Sequence, residues 1–62
     1  MISNLKKVRL LQEKTQRILE QETGIHQTML SLFENGFRRP NKEQKKILAK
    51  TLKTPEKELF PE

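Results

Sequence analysis

The sequence contains no cysteine, which excludes disulfide bonds and thiolate metal sites as sources of stability. Aspartate, tryptophan and tyrosine are also missing, and His26 is the single histidine. One histidine does not make a metal site, and the paired carboxylates or nucleophile–base pairs of common catalytic sites are not evident. We therefore predict a protein that is not an enzyme, has no small-molecule substrate, and requires no metal and no cofactor.

Long apolar runs are missing as well. No segment of the 62 residues approaches the roughly 20 apolar residues that span a bilayer, and the N-terminus lacks the apolar segment of a signal peptide. Together with the lack of cysteine, these absences predict a cytoplasmic protein that does not contact a membrane.

Positive charge, by contrast, is abundant. Lysine and arginine number 13 against 8 acidic residues, and the formal net charge is +5. A chain of this length forms one domain, and it buries only about 60% of the surface that its unfolded chain exposes. The positive charge favours a polyanionic partner, either nucleic acid or an acidic protein; the alternative is a soluble domain that simply carries many lysines.

Five short helical segments are predicted between the glycines and prolines. Apolar residues recur at helical spacing, and strand signals are nearly absent. The predicted helices span residues 4–13, 16–23, 27–35 and 42–53, and a single helical turn follows at 55–60. The predicted fold class is all-α, a compact bundle of four to five short helices in a single domain over residues 1–62.

Residue types at the segment ends support these boundaries. The predicted N-caps are Ser3, Thr15, Asn41 and Thr54. Gln44 completes a capping box with Asn41, and Pro55 suits the first helical position after Thr54. Gly24 and Gly36 follow the second and third helices, where a positive φ is favoured. The predicted core comprises Leu5, Val8, Leu19, Ile25, Leu30, Phe33, Leu48, Ala49, Leu52, Leu59 and Phe60, with Leu11 at the edge of the apolar face of the first helix.

Only Gly24-Ile25-His26 separates the second and third predicted helices. A short turn containing glycine between two helices at about 90–120° is the helix-turn-helix unit. We predict that Ile25 fills the angle between the helices, packed against Leu19 and Leu30. The helix from Gln27 to Asn35 then projects from the body of the domain, and the major groove of B-DNA is wide enough to admit it.

The chain resembles the lambda-repressor/Cro-like (XRE-type) helix-turn-helix family over nearly its whole length. The resemblance is carried by Thr15-Gln16, Gly24-Ile25, Leu30-Ser31, Phe33-Glu34, Gly36 and Pro40 at the family's spacing. The chain departs from the family pattern at Glu20, where alanine is usual, and at Glu13-Lys14, where glycine and leucine are common. It also departs at His26, where a serine or threonine N-cap is usual, and at Lys45-Lys46, where the residues are often apolar. These departures indicate a thinner core and a looser contact between helices.

The resemblance implies DNA-contacting residues. Gln27, Thr28 and Leu32 match base-reading positions: glutamine pairs with adenine, and Leu32 contacts a thymine methyl group. The expected phosphate contacts are Gln16, Arg17, Arg38, Arg39 and Lys42. The alternative in both cases is a solvated polar or charged surface.

The resemblance also implies a structural, partly buried ion pair between Arg9 and Glu34, with an exposed, unpaired Arg9 as the alternative. We interpret His26 as an ordinary residue at a helix start rather than as a pH switch.

The predicted function is sequence-specific binding of double-stranded DNA by a transcriptional regulator. Two copies are expected on half-sites about 34 Å apart, with Leu59, Phe60 and the turn near Thr54 supplying part of a homodimer contact. The alternative is a protein–protein interaction module of the same fold, antitoxin-like or anti-repressor, with weak or no DNA binding. Glu20 and the polar fourth helix leave room for that alternative.

Overall fold

Five helices are present in the computed structural model, which describes residues 3–61. The helices are α1 (Leu5–Leu11), α2 (Gln16–Thr23), α3 (Gln27–Glu34), α4 (Lys42–Leu52) and α5 (Glu56–Leu59). No strand occurs within the described residues, so the all-α prediction is confirmed. The bounds of α2 match the prediction, and the other helices are one to two residues shorter at one or both ends, as is usual for frayed termini. None of these helices is long and apolar enough to cross a bilayer.

A single apolar core lies between the helices. Its buried residues are Leu5, Leu19, Ile25, Leu30, Phe33, Leu48, Leu52, Leu59 and Phe60, and Val8, Met29 and Ala49 pack against them. This set contains the predicted core. Leu11, expected at the edge of the apolar face of the first helix, is 74% exposed and lies outside the core. The buried side of α1 is formed instead by Leu5 and by Arg9, whose charge is compensated as described below.

The N-caps of α2 and α4 are formed as predicted. Thr15 Oγ1 accepts a hydrogen bond of 3.0 Å from the backbone N–H of Ile18. Asn41 Oδ1 accepts from the N–H of Gln44 at 2.8 Å, and Gln44 Oε1 accepts from the N–H of Asn41 at 2.9 Å. Each bond satisfies a first-turn amide that has no partner within its own helix.

Two other predicted N-caps are wrong by one residue. The cap of α1 is Asn4 rather than Ser3, although Ser3 Oγ accepts from the N–H of Leu5 at 3.3 Å. The cap of α5 is Pro55 rather than Thr54, because Pro55 has an extended backbone with ψ of 146°. Thr54 Oγ1 instead donates to the carbonyl of Leu52 at 2.9 Å.

The beginning of α1 is joined to the end of α5. The N–H of Asn4 donates to the carbonyl of Leu59 at 2.8 Å, and Asn4 Nδ2 donates to the carbonyl of Glu58 at 2.9 Å. Leu59 is fully buried and Phe60 is 6% exposed. Because both side chains are used inside the domain, the expectation that they supply a dimer contact is wrong.

Three helices, α1, α3 and α4, end in the same type of turn, in which a residue one or two positions after the helix has a positive φ and the next amide bonds back to the helix. The residues with positive φ at these ends are Glu13 at 56°, Gly36 at 73° and Lys53 at 52°. In each turn the following amide donates to a carbonyl five residues earlier, at 3.0–3.1 Å. This is the hydrogen-bond pattern of a Schellman motif. Glycine adopts this conformation without strain, whereas Glu13 and Lys53 do not.

Candidate nucleic-acid interface

The turn between α2 and α3 sets the direction of α3. Gly24 has φ of 77°, and its N–H donates to the carbonyl of Glu20 at 2.7 Å. Thr23 Oγ1 donates to the carbonyl of Leu19 at 2.7 Å and accepts from the N–H of Ile25 at 3.1 Å. A Cβ at residue 24 would meet no atom within 4 Å. Glycine is therefore favoured here by the backbone angle and not by lack of space.

Ile25 anchors this turn in the core. Its side chain is 7% exposed and belongs to the same cluster as Leu19 of α2 and Leu30 of α3. The predicted packing of the turn is therefore confirmed. The next residue, His26, is the N-cap of α3, and its Nδ1 accepts from the N–H of Thr28 at 3.1 Å. The imidazole takes the capping role of the serine or threonine that the family uses.

One side of α3 faces the core and the other faces solvent. Leu30 and Phe33 are fully buried, and Met29 packs beside them. On the outer side Thr28 and Asn35 are exposed. The helix thus presents a surface to the outside while its apolar side holds it on the domain.

The outer side is formed by four residues spaced three or four apart along the helix: Thr28, Ser31, Leu32 and Asn35. The residues predicted to read bases fall on it or at its start, since Gln27 begins the helix and Leu32 lies one turn after Thr28. Gln27 and Leu32 are half-buried. Ser31 and Asn35 were missed by the sequence interpretation, although the helical spacing from Thr28 indicates both of them.

A buried ion pair fixes the other end of α3. Arg9 Nε lies 2.7 Å from Glu34 Oε2, and Arg9 Nη2 lies 3.3 Å from Glu34 Oε1. The two side chains are 8% and 3% exposed. Arg9 Nη1 also donates to the carbonyl of Lys14 at 2.8 Å. The pair that the sequence predicted therefore joins the last turn of α1 to the last turn of α3.

Gln16 extends the ion pair to α2, which the sequence did not predict. Its Nε2 donates to Glu34 Oε1 at 3.0 Å. Nε2 carries two hydrogens, so this bond leaves one of them for a phosphate oxygen. The ends of α1 and α3 and the beginning of α2 thus meet at Glu34. Every buried side-chain nitrogen and oxygen in residues 3–61 has a hydrogen-bond partner.

A basic loop follows α3. Arg38 and Arg39 are exposed, and Lys42 is exposed at the start of α4. Pro40 between them is buried and fixes the loop to the domain. The loop begins two residues after Glu34, the last residue of α3, and Glu34 contacts Gln16 at the start of α2. The phosphate candidates of the loop and of the start of α2 therefore lie toward the same end of α3.

The charges around α3 are distributed unevenly. Glu34 is the single charged residue of α3, and it is paired with Arg9. The first turns of α2 and α3 contain no acidic residue, whereas Glu43 lies in the first turn of α4. An uncharged outer side flanked by cations and by helix N-termini without carboxylates is compatible with an approaching polyanion. Over the part of the chain that the structure describes, no cluster of three histidine or acidic side chains is placed to hold a metal ion.

Comparison with known proteins identifies one related family. A sequence profile described as helix-turn-helix matches residues 5–59, a segment that contains all five helices described above. No curated protein and no solved structure matches the chain.

Proposed function

The chain belongs to the lambda-repressor/Cro-like helix-turn-helix family of DNA-binding transcription regulators, and from this premise we propose that it binds specific double-stranded DNA sequences through α3. The observation that carries the proposal is the outer side of α3. It is uncharged, it is held on the domain by Ile25 at one end and by Glu34 at the other, and basic residues lie beside it.

Base recognition is assigned to the first two turns of α3. Gln27 and Thr28 lie in the first turn, the part of a recognition helix that contacts base edges in helix-turn-helix complexes. The Gln27 amide pairs with N6 and N7 of adenine, and Leu32 packs on a thymine methyl group. Ser31 and Asn35 extend the same side and offer further polar contacts.

Phosphate binding is assigned to two groups of residues near the end of α3. Arg38, Arg39 and Lys42 supply exposed cations after the helix. Arg17 and the remaining amide hydrogen of Gln16 supply contacts at the start of α2, where the N-terminal amides favour an anion. These contacts set the register of the protein on the duplex and carry no sequence information by themselves.

Regulators of this family act on double-stranded DNA, and we infer that this chain acts as one. Two copies on half-sites about one helical turn apart would match a palindromic operator. Leu59 and Phe60 are excluded from such a contact by their burial.

The experiment that tests the proposal is selection of binding sites from random duplexes, followed by titration of the selected site at several salt concentrations. Each cation that neutralises a phosphate adds about −0.9 to the slope of log K against log salt, so Arg17, Arg38, Arg39 and Lys42 predict a slope of about −3.6 for one copy. A recovered consensus sequence and a slope of this size support the proposal. Failure to enrich any sequence, together with a flat salt response, contradicts it.

One observation favours the alternative function, a protein–protein interaction module. Leu10 and Leu11, adjacent on α1, are 55% and 74% exposed, and neighbouring exposed apolar side chains often mark protein contacts. In this case duplex DNA would bind weakly with little dependence on salt, and alanine substitution of Leu10 and Leu11 would abolish binding of the protein partner.

A further inference from the structure

Among the large apolar side chains of residues 3–61, that of Phe37 is the most exposed, at 79%. It lies in the loop after α3, between Gly36 and Arg38. The ring contributes almost nothing to the core, so the domain gains little stability from it. An exposed aromatic ring beside the candidate interface is available to a partner outside the domain.

The backbone holds Phe37 in a defined position. Its N–H donates to the carbonyl of Leu32 at 3.0 Å, and the N–H of Gly36 donates to the carbonyl of Phe33 at 3.3 Å. In a turn of this type the side chain at the position of Phe37 often packs back on the residue at the position of Leu32. Its exposure shows that the ring is turned to solvent instead.

The charge around the ring indicates the chemistry of the partner. Arg38 follows Phe37 directly, and both Arg39 and Lys42 are exposed nearby in sequence. Two copies of such a loop repel each other, since both carry several positive charges. A partner that fits has closely spaced negative charges next to flat apolar surfaces. Nucleic acid has this combination, because the apolar faces of the deoxyribose rings lie beside the phosphates.

We propose that Phe37 is a DNA-contacting residue whose ring packs against deoxyribose beside the phosphates bound by Arg38 and Arg39. The inference rests on the proposed function and extends it with a non-ionic contact. Because the ring is uncharged, its contribution to affinity is independent of counterion release. That property separates Phe37 from its basic neighbours.

The first experiment compares three single variants on the selected duplex across a salt series: Phe37→Ala, Arg38→Ala and Leu11→Ala. We expect Phe37→Ala to weaken binding about tenfold with an unchanged salt slope, in line with the partial burial of one large apolar side chain. Arg38→Ala should reduce the magnitude of the slope by about 0.9. Leu11→Ala is the matched control for DNA binding, since Leu11 is 74% exposed but lies on α1, outside the proposed DNA interface, and its replacement should change neither the affinity for DNA nor the salt slope.

The second experiment uses the absence of tryptophan from the sequence. The variants Phe37→Trp and Leu11→Trp each carry a single indole fluorophore. Addition of the duplex should quench or blue-shift the emission of Phe37→Trp and leave that of Leu11→Trp unchanged. This measurement does not depend on loss of binding and needs only a folded variant, which circular dichroism verifies.

The outcomes distinguish the inference from the proposed function. If the unchanged protein binds duplex DNA but Phe37→Ala binds equally well and Phe37→Trp emission does not respond, only the role of Phe37 is overturned. If Phe37→Ala changes the sedimentation behaviour of the free protein, the ring belongs to a contact between copies, and the inference is also wrong. If the unchanged protein binds no duplex, the proposed function and this inference fail together.

Discussion

Replacing Glu13 or Lys53 by glycine is expected to stabilise the domain. Both residues have left-handed backbones, with φ of 56° and 52°. An L-residue in this conformation costs about 1–2 kcal/mol, and glycine loses about 0.5–1 kcal/mol more conformational entropy on folding than alanine does. The difference predicts a gain of about 0.5–1 kcal/mol for each substitution. Both side chains are exposed, so their removal leaves no cavity.

The gain is measurable by thermal denaturation followed by circular dichroism. A change of 1 kcal/mol shifts Tm by about 4–8 °C in a domain of this size, so each glycine variant should raise Tm by roughly 2–8 °C. The matched controls are Glu13→Ala and Lys53→Ala, which make the same change of charge but keep a Cβ. We expect no comparable gain from them. Equal Tm values for the glycine and alanine variants would show that backbone strain is not the source of the effect.

Four further outcomes are expected. Glu34→Ala leaves a buried guanidinium without its partner and should lower the free energy of unfolding by about 3–5 kcal/mol in urea titrations; a loss below 1 kcal/mol would contradict the buried pair. His26→Ala should lower Tm through loss of about 1 kcal/mol of capping energy, and His26→Ser should restore it; equal Tm values would exclude the cap. Gln27→Ala should cost about 1–3 kcal/mol on the selected site and little on random duplex; equal losses would exclude base reading. Alanine at both Arg38 and Arg39 should reduce the salt slope by about 1.8 and weaken binding to all sequences alike; an unchanged slope would exclude phosphate contact.

Local sequence rules were sufficient where a helix end depends on its own neighbours. Thr15 and Gly24 predict both ends of α2, and Asn41 with Gln44 predicts the start of α4, because each hydrogen bond of these caps joins residues that are close in sequence. The periodicity of apolar residues likewise predicts the core, since burial of one helix face requires that spacing.

Rules based on neighbouring residues failed where a contact between distant parts of the chain determines the cap or the buried residue. Ser3 and Asn4 are both suitable N-caps by residue type. Asn4 is the cap in the structure, where it also donates hydrogen bonds to the carbonyls of Glu58 and Leu59 at the other end of the chain. Apolar spacing predicted a buried side of α1 through Leu5 and Val8, whereas Arg9 is buried beside Leu5 because Glu34 compensates its charge. Neither contact can be derived from spacing along one helix.

The departures from the family pattern also depend on context. Glu13 and Lys14 stand where the family often has glycine and leucine, and the sequence interpretation expected a looser contact there. In the structure Lys14 instead makes two polar contacts, its carbonyl with Arg9 and its Nζ with Glu22 at 2.7 Å. These polar contacts join Lys14 to α1 and α2, while the positive φ of Glu13 leaves its backbone strained.

The candidate interface and the stability of the domain share the same residues at the end of α3. Glu34 contacts Arg9 of α1 and Gln16 of α2, so the position of the outer side of α3 relative to the start of α2 depends on one carboxylate. A conservative change such as Glu34→Gln keeps the shape of the side chain but removes the charge that compensates Arg9. Any effect of that variant on DNA affinity would therefore act through the orientation of α3, because the 3% exposed side chain of Glu34 has almost no surface with which to contact DNA.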